Sequence, residues 1–459
     1  MSDTSAVAAK KVDGTQVQQS VKTGQPAGLN ASLDKLAKFG GFDFLEIAVN
    51  GLQNLNPERK ARKQIFLTDK QKRGEREALK NNIELWLELL TSSDDTSKMI
   101  ETTTARLESV ATKLKDNQLT AVKTVRNLER SYRAVMLFYK NTESDKLTNV
   151  TIVNAAMEQI TDLDNPRFID FVNSEFRQYY DKLDLRMNYS LLVIPGYLGS
   201  NKVVEKWSKI AYNNKVYLFT DFADLDNPDD VVDMFFSANL SGGDTFKSNT
   251  SMACNWFIGR GKYAEIGEED DLRVSPAAGL AGKVYLTRMS QPTAGKKYGG
   301  MNEVDSVVFK LKKSEISQLE RMGLVPMVNE YGKVMAFSAK TLFNGDNLGL
   351  QTYSVVRVFD YIMKVLFDFL NRRAFENWTS NTERDLRSQI VKFLDSIQGP
   401  EALIEKFRIV RFEQDKNNKD RVFLDIHLTP FFPAKSFIIK LDGTKGDDKT
   451  DWEAEVSQA

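Results

Sequence analysis

The sequence predicts a multidomain protein of mixed α+β and α/β class, with a helical N-terminal part, an α/β middle and a C-terminal domain of helices and a small sheet. Three observations carry this. The chain has 459 residues, enough for two or three domains. Helical periodicity dominates up to about residue 140, whereas from Val150 onward strand-like runs alternate with helical ones, as in an α/β unit. After Leu350 come an apolar helix, an amphipathic helix and three strand-like runs.

Composition narrows the function. Lys+Arg and Asp+Glu both number 63, giving a formal charge of zero, which argues against a nucleic-acid partner because such proteins carry a basic excess. The single Cys254 excludes an internal disulfide and a multi-cysteine metal site, as expected in a reducing compartment. No run of about 18 apolar residues occurs, so membrane insertion is not expected. The N-terminus lacks an apolar signal core, and the chain reads as cytoplasmic.

In chain order, Met1 to about Ser32 is a polar arm, and Leu33–Leu55 fits a short helix and turn around Gly40 and Gly41. A basic cluster follows (Arg59, Lys60, Arg62, Lys63, then Lys70, Lys72, Arg73). It reads as a docking patch for an acidic partner or, more commonly for such runs, as solvated surface. Arg76–Leu90 is helical, with Leu79, Ile83, Trp86, Leu87 and Leu90 on one face. Lys98–Lys140 is a long amphipathic helix with Leu107, Val110, Leu114, Leu119, Val122, Val125 and Leu128 at near-heptad spacing. That spacing suits packing within the chain or on a partner helix.

The middle reads as strands at Val150–Val153, Tyr189–Ile194 and Val216–Phe219, with helices at Pro166–Tyr180 and Lys202–Tyr212. Asp221–Asp230 is an acidic turn and Gly261–Gly300 an irregular Gly-rich region. Val304–Leu311 and Val334–Phe337 read as strands, and Ser314–Met322 as a helix with Gly323 at its C-cap.

The C-terminal part opens with a helix over about 353–370. It is apolar nearly all round, including Tyr353, Phe359, Tyr361 and Leu366, and its buried surface is expected to exclude only a narrow outer stripe of Arg357, Asp360, Lys364 and Asp368. An amphipathic helix follows over about Thr382–Ile397, with a Thr382/Asp385 capping pattern and a Gly399–Pro400 stop. The strand-like runs are Phe407–Phe412, Val422–Leu428 and Ser436–Leu441, and the middle one alternates Val422, Leu424, Ile426 and Leu428 against Phe423, Asp425 and His427. Asp415–Asp420 suits a hairpin. The pairing of the outer strand is left open, and that edge is the main functional clue.

Candidate chemistry is sparse. His427, the only histidine, reads as a strand residue, and Cys254 as a small core hydrophobe. Gly443-x4-Asp448-Lys449-Thr450 imitates a Walker A loop but has Asp in place of the second Gly and no strand–loop–helix setting. The run Glu268–Asp271 lacks the alternating ligand spacing of a calcium loop. No catalytic group, cofactor site or metal site is expected.

Three blocks carry a resemblance. Leu128-Glu129-Arg130-Ser131-Tyr132-Arg133 with Thr142-Glu143-Ser144 and Val150–Val153 is similar to a Leu-Glu-x-x-Trp-Arg block, followed by the aromatic run Phe171–Tyr180 and Leu191–Ile194. Glu315–Leu319, Gly323-Leu324-Val325-Pro326-Met327 and Ala336-Phe337-Ser338-Ala339 resemble a second block. Tyr353-Ser354-Val355, Tyr361–Val365 and Leu428-Thr429-Pro430-Phe431-Phe432 resemble a closing one. Together they resemble the large subunit of the type VI secretion contractile sheath (TssC/VipB-like). Tyr132 stands for the usual Trp, Phe359-Asp360 for Ala-His, and the Gly-rich loop around Gly279–Gly282 matches poorly, which marks a divergent branch.

The resemblance implies a structural subunit, not an enzyme. It implies a flexible arm over 1–58, a helical partner-binding region over 59–145 and an α/β sheath body over 146–345. A phage-tail-sheath-like inner-wall domain with an intermolecular β-sheet would span 346–441, and an acidic tail 442–459. Implied partners are a small TssB-like sheath subunit, copies of the chain in a six-fold helical lattice, an Hcp-like inner tube, a baseplate and an AAA+ ATPase that disassembles the sheath in the bacterial cytoplasm. Strand exchange would use Val422, Leu424, Ile426, Leu428, Phe437 and Ile439, and Asp447, Asp448 and Asp451 are candidates for contact with the tube. A non-contractile filament or scaffold, and a nucleotide- or sugar-handling α/β enzyme, stand as the alternatives.

Overall fold

The computed structural model describes residues 57–459 apart from 92, 183–184, 436–437, 444–451 and 458–459. The N-terminal arm and the expected helix at Leu33–Leu55 lie outside the described residues. The chain forms two compact units, Met1–Gln118 and Leu119–Ala459.

The first unit carries α1 (Pro57–Thr68), α2 (Arg73–Thr91) and the start of α3 (Thr96–Lys140). Arg76 turns the chain between α1 and α2 by donating to the carbonyls of Phe66 and Asp69 at 2.6 and 2.7 Å. Two members of the basic cluster are engaged locally, Lys72 with Glu75 and Arg73 with Glu77. Leu79, Ile83, Leu107, Val110 and Leu114 all remain exposed, so packing among the described residues leaves them uncovered.

The second unit is built on a sheet of β1 (Leu191–Tyr197), β2 (Tyr217–Asp221), β3 (Thr250–Cys254), β7 (Leu324–Glu330) and β8 (Lys333–Ala336), in that order. The first four run parallel, and β7–β8 is an antiparallel hairpin. A small antiparallel sheet of β4 (Phe257–Arg260), β5 (Leu272–Val274) and β6 (Ser306–Val307) lies between β3 and β7 in sequence. The pleat sends alternate residues to opposite faces. Leu218, Met252, Cys254 and Leu324 meet α4 (Arg167–Tyr180), α5 (Asn201–Asn213) and α6 (Pro228–Ala238). Tyr217, Phe219, Ala253 and Val325 meet α7 (Ala277–Leu286) and Leu137 of α3. Both faces are covered, so β2 and β3 are buried at every position and show no alternation. Cys254 is fully buried in this core, where burial pushes its thiol up.

Several expectations are corrected here. Val150–Val153 forms no strand. Asn149 and Thr151 are held by side-chain bonds to the Arg186 carbonyl and the Tyr189 hydroxyl, and Val150, Ile152 and Val153 stay exposed. The acidic turn contains the start of α6, capped by the Asn227 side chain accepting from Asp230 N. The Gly-rich region contains the buried helix α7, where a Cβ on Gly282 would lie 2.4 Å from the Phe138 carbonyl. The glycine is what lets α3 pass over α7. Gly323 has φ +98° just past the end of α8 (Lys313–Arg321), one residue beyond the C-cap Met322, where a left-handed glycine ends a helix.

Asp221 closes β2 and is fully buried. One carboxylate oxygen accepts from Ala277 N at 2.8 Å; the other accepts from Gly196 N at 2.8 Å and from the Ser275 hydroxyl. Burial outweighs these donors and pushes the carboxyl up to about 7. The folded chain therefore binds this proton more tightly than the unfolded one, and stability falls as pH rises from the ordinary value of 3.8 through about 7. Asp221→Asn turns an amide N–H toward a backbone N–H. It should cost about 1–3 kcal/mol in chemical denaturation and flatten that pH slope.

The C-terminal part holds α9 (Tyr353–Arg372), α10 (Ser380–Ser396), β9 (Ile404–Gln414) and β10 (Val422–Pro430), packed around Val358, Ile362, Leu386, Ile390, Leu394 and Phe412. The cap of α10 is Thr379, whose hydroxyl accepts from Thr382 N, whereas Asp385 pairs with Arg373. The expected Thr382/Asp385 box is thus replaced by a cap one turn earlier. The orientation of α9 is the larger correction. Its charged stripe faces inward: Asp360 accepts from Asn249 Nδ2 at 2.6 Å, Lys364 donates to the Tyr189 carbonyl at 2.9 Å, and Asp368 accepts from Leu185 N. Arg357 and Lys364 are buried, and burial lowers Lys364 to about 8. Tyr353 is fully buried and Tyr361 and Leu366 are half-buried, but Phe359 faces solvent.

Candidate assembly interface

The edge residues sit on two separate two-stranded sheets. β9 and β10 pair antiparallel from Val422↔Gln414 to Pro430↔Ile404, across the Asp415–Asp420 hairpin. Leu424, Ile426 and Leu428 point toward the α9–α10 core yet are only half-buried, and Val422 is exposed. His427 lies on the outer side opposite Arg408, and Phe423 lies under the Arg411 guanidinium at 3.9 Å. The third strand-like run does not join this sheet. It is β11 (Ile438–Gly443), paired antiparallel with β12 (Trp452–Ser457), so part of the expected acidic tail is a strand. Ile439 of β11 is 55% exposed. Phe437, Asp447, Asp448 and Asp451 lie outside the described residues.

The linker between the two sheets is tied to the α/β body. Lys435 Nζ meets Glu320 of α8 at 2.6 Å. Two-stranded sheets are marginal on their own and leave unpaired N–H and C=O groups along both edges.

A second construction fixes the C-terminal half of α3. Arg260 of β4 lies between Glu129 of α3 and Glu268, with contacts of 3.0 and 2.7 Å, and Glu268 also accepts from Arg126 and from Tyr263 N. Arg133 donates to the Gly259 carbonyl at 2.9 Å. The Arg260 guanidinium holds the Glu268 carboxyl down at about 2. Glu129 and Arg133 of the Leu-Glu-x-x-Tyr-Arg block thus dock α3, while Leu128 and Tyr132 stay exposed on its outer side. Sequence reasoning missed this clamp because Glu268 opens an acidic run that reads as solvated. Within Glu268–Asp271 it alone is buried.

Among the described residues no helix is long and apolar enough to cross a membrane, and no group of three or more His, Cys, Asp or Glu is placed to hold a metal ion.

Family comparison decides what this frame is. Residues 29–118 match the TssC/VipB-like N-terminal region, 120–344 the type VI secretion system TssC/VipB central domain, and 352–458 the TssC/VipB-like C-terminal domain. The chain belongs to the TssC/VipB family. It is a contractile sheath subunit of the type VI class, and the sheath assignment carries self-assembly into a helical lattice with it. Among solved structures, this TssC/VipB chain is similar to the anti-feeding prophage baseplate, 6-fold symmetrised (15% identity, 68% of this chain and 80% of that one, TM-score 0.47). It is also similar to the anti-feeding prophage helical sheath in the contracted state (16%, 69% and 82%, TM-score 0.47). The sheath complex of the extracellular contractile injection system PVC, contracted, is a further likeness (13%, 69% and 80%, TM-score 0.46). No curated protein sequence matches the chain.

Proposed function

We propose that this subunit pairs with a small TssB-like partner, and that the pairs link into six-fold helical rings by sharing strands across their C-terminal sheets. The observation that carries this is the divided sheet: two two-stranded pieces, each with free edges, of which the β9–β10 piece has an inward face that its own helices only half-bury. Strands from neighbouring chains added to Val422–Pro430 or Ile438–Gly443 satisfy those edges and complete the burial of Leu424, Ile426 and Leu428. Phe437 and Ile439 would join the same shared sheet. Repeated contacts of this kind are heterologous and build an open helical assembly.

The exposed Leu107, Val110 and Leu114 of α3 offer the small partner a helix-packing seam. In this reading the sheath surrounds an Hcp-like tube, with Asp447, Asp448 and Asp451 facing it. It grows from a baseplate and is dismantled by an AAA+ ATPase in the bacterial cytoplasm. The subunit's own work is mechanical, and contraction is a switch between two packings of one lattice.

Co-expression with the small partner, followed by negative-stain microscopy, tests the proposal. Hollow cylinders with helical ridges are expected; smooth filaments would favour a scaffold, and discrete particles stabilised by a ligand an enzyme. His427→Ala should leave cylinder formation unchanged, because the imidazole faces outward on β10. Loss of function with intact cylinders would point to chemistry at that residue.

A further inference from the structure

Helix α9 turns four charged residues inward beside its buried Val358 and Ile362, and leaves a separate apolar face in solvent. Positions four apart share a helix face. One such face carries Phe359, Met363 and Phe367, exposed at 38, 41 and 57%. The inward face carries Arg357, Asp360, Lys364 and Asp368, which find Val284 O, Asn249 with Lys215, Tyr189 O and Leu185 N. The helix cannot roll to hide its apolar face without breaking those buried polar contacts. The apolar face is therefore fixed in solvent.

A second observation lies just beyond the end of the same helix. Phe375 is fully exposed, at 106%, and has φ +69°. A bulky side chain in the left-handed region is unfavourable and persists only where its surroundings impose it. Arg373 bonds to Glu376 and to Asp385, and Thr379 caps the next helix, so the residues on either side of Phe375 are held in place.

We infer that Phe359, Met363, Phe367 and Phe375 form a contact with a second copy of this chain at a neighbouring position in the sheath lattice. The inference rests on the sheath reading above. The area argues for a lattice neighbour. Aromatic side chains bury roughly 150–250 Å² each, so four partly exposed side chains offer on the order of 400 Å². A stable pair needs about 800 Å² per partner. The patch is too small to hold a tight heterodimer or a free homodimer, but it is suited to a contact repeated along a lattice, where each link is reinforced by the others. It also carries no charge that would call for an acidic or basic partner.

The test uses the full chain co-expressed with its small partner. Met363→Glu and Phe367→Asp place charge on the patch without entering the core, and Phe375→Asn relieves the left-handed backbone while removing the ring. All three should keep the wild-type melting temperature or raise it, and co-purify with the small partner in unchanged ratio. They should lower the number of cylinders at least tenfold. Cylinders at wild-type number in all three overturn the inference, and so does loss of the small partner, which would make the patch the partner's seat. A wild type that forms no cylinders overturns the sheath reading and this contact with it. A wild type that forms cylinders while the variants do so equally well removes this contact alone.

Discussion

Deleting residues 434–459 is expected to leave a folded, monomeric chain that forms no cylinders with its partner. The deletion removes β11 and β12, which among the described residues pair only with each other. It also removes Lys435, whose pair with Glu320 is the one ion pair or hydrogen bond joining this segment to the body among the described residues. A surface pair of that kind is worth about 0–1 kcal/mol, so the melting temperature should move by no more than about 4 °C. Assembly has no such margin, because the free edges of this hairpin and of β10 are the proposed links between subunits. Thermal unfolding together with microscopy reads both halves of the prediction. Cylinders at normal number from the truncated chain would remove the hairpin from the mechanism.

Glu268→Ala should cost about 3–5 kcal/mol, as much as truncating a large core side chain, because it leaves the largely buried Arg260 short of a counter-charge. Arg126 loses its carboxylate partner at the same time, and Tyr263 N loses its acceptor. The effect should appear in chemical denaturation and as faster proteolysis within α3, whose docking depends on the same cluster through Glu129. The pH dependence has a definite sign. With the folded carboxyl held at about 2 against an ordinary 4.5, its contribution is complete above about 4.5 and is lost as pH falls toward 2. The Ala variant should lack that acid-side loss. Arg260→Met with Glu268→Gln, which removes both charges, should recover part of the stability.

Much of the frame was legible in the residues. The helices over Arg167–Tyr180 and Asn201–Asn213 and the strands β1, β2, β9 and β10 follow their periodicity to within a few positions. The blocks around Glu129, Gly323 and Leu428 pointed to the family to which the chain belongs. What stayed hidden has physical causes. β3, Thr-Ser-Met-Ala-Cys, is buried on both faces and shows no alternation to find. α7 is rich in Ala and Gly because α3 presses on it at Gly279 and Gly282, and that composition mimics a loop.

Val150–Val153 has strand-like residues, but strand propensity acts only where a neighbour pairs. For α9, periodicity separated a charged stripe from an apolar surface without saying which side the body would cover. Asn249 from one distant segment, and Leu185 N and the Tyr189 carbonyl from another, made the charged stripe the inner one. The candidate edge was visible in the alternation of Val422–Leu428. Its division into two sheets was not, because β12 lies in a stretch whose acidic residues read as a tail.

Amide hydrogen exchange, compared between the free chain and assembled cylinders, tests the shared-sheet account most directly. The amides of Val422–Pro430 and Ile438–Gly443 that have no partner within the chain should exchange rapidly in the free protein and slow by about 100-fold or more on assembly, while those of β2 and β3 are slow in both states. Equal rates at these two strands before and after assembly would mean that no outside strand pairs with them, and the account would be wrong.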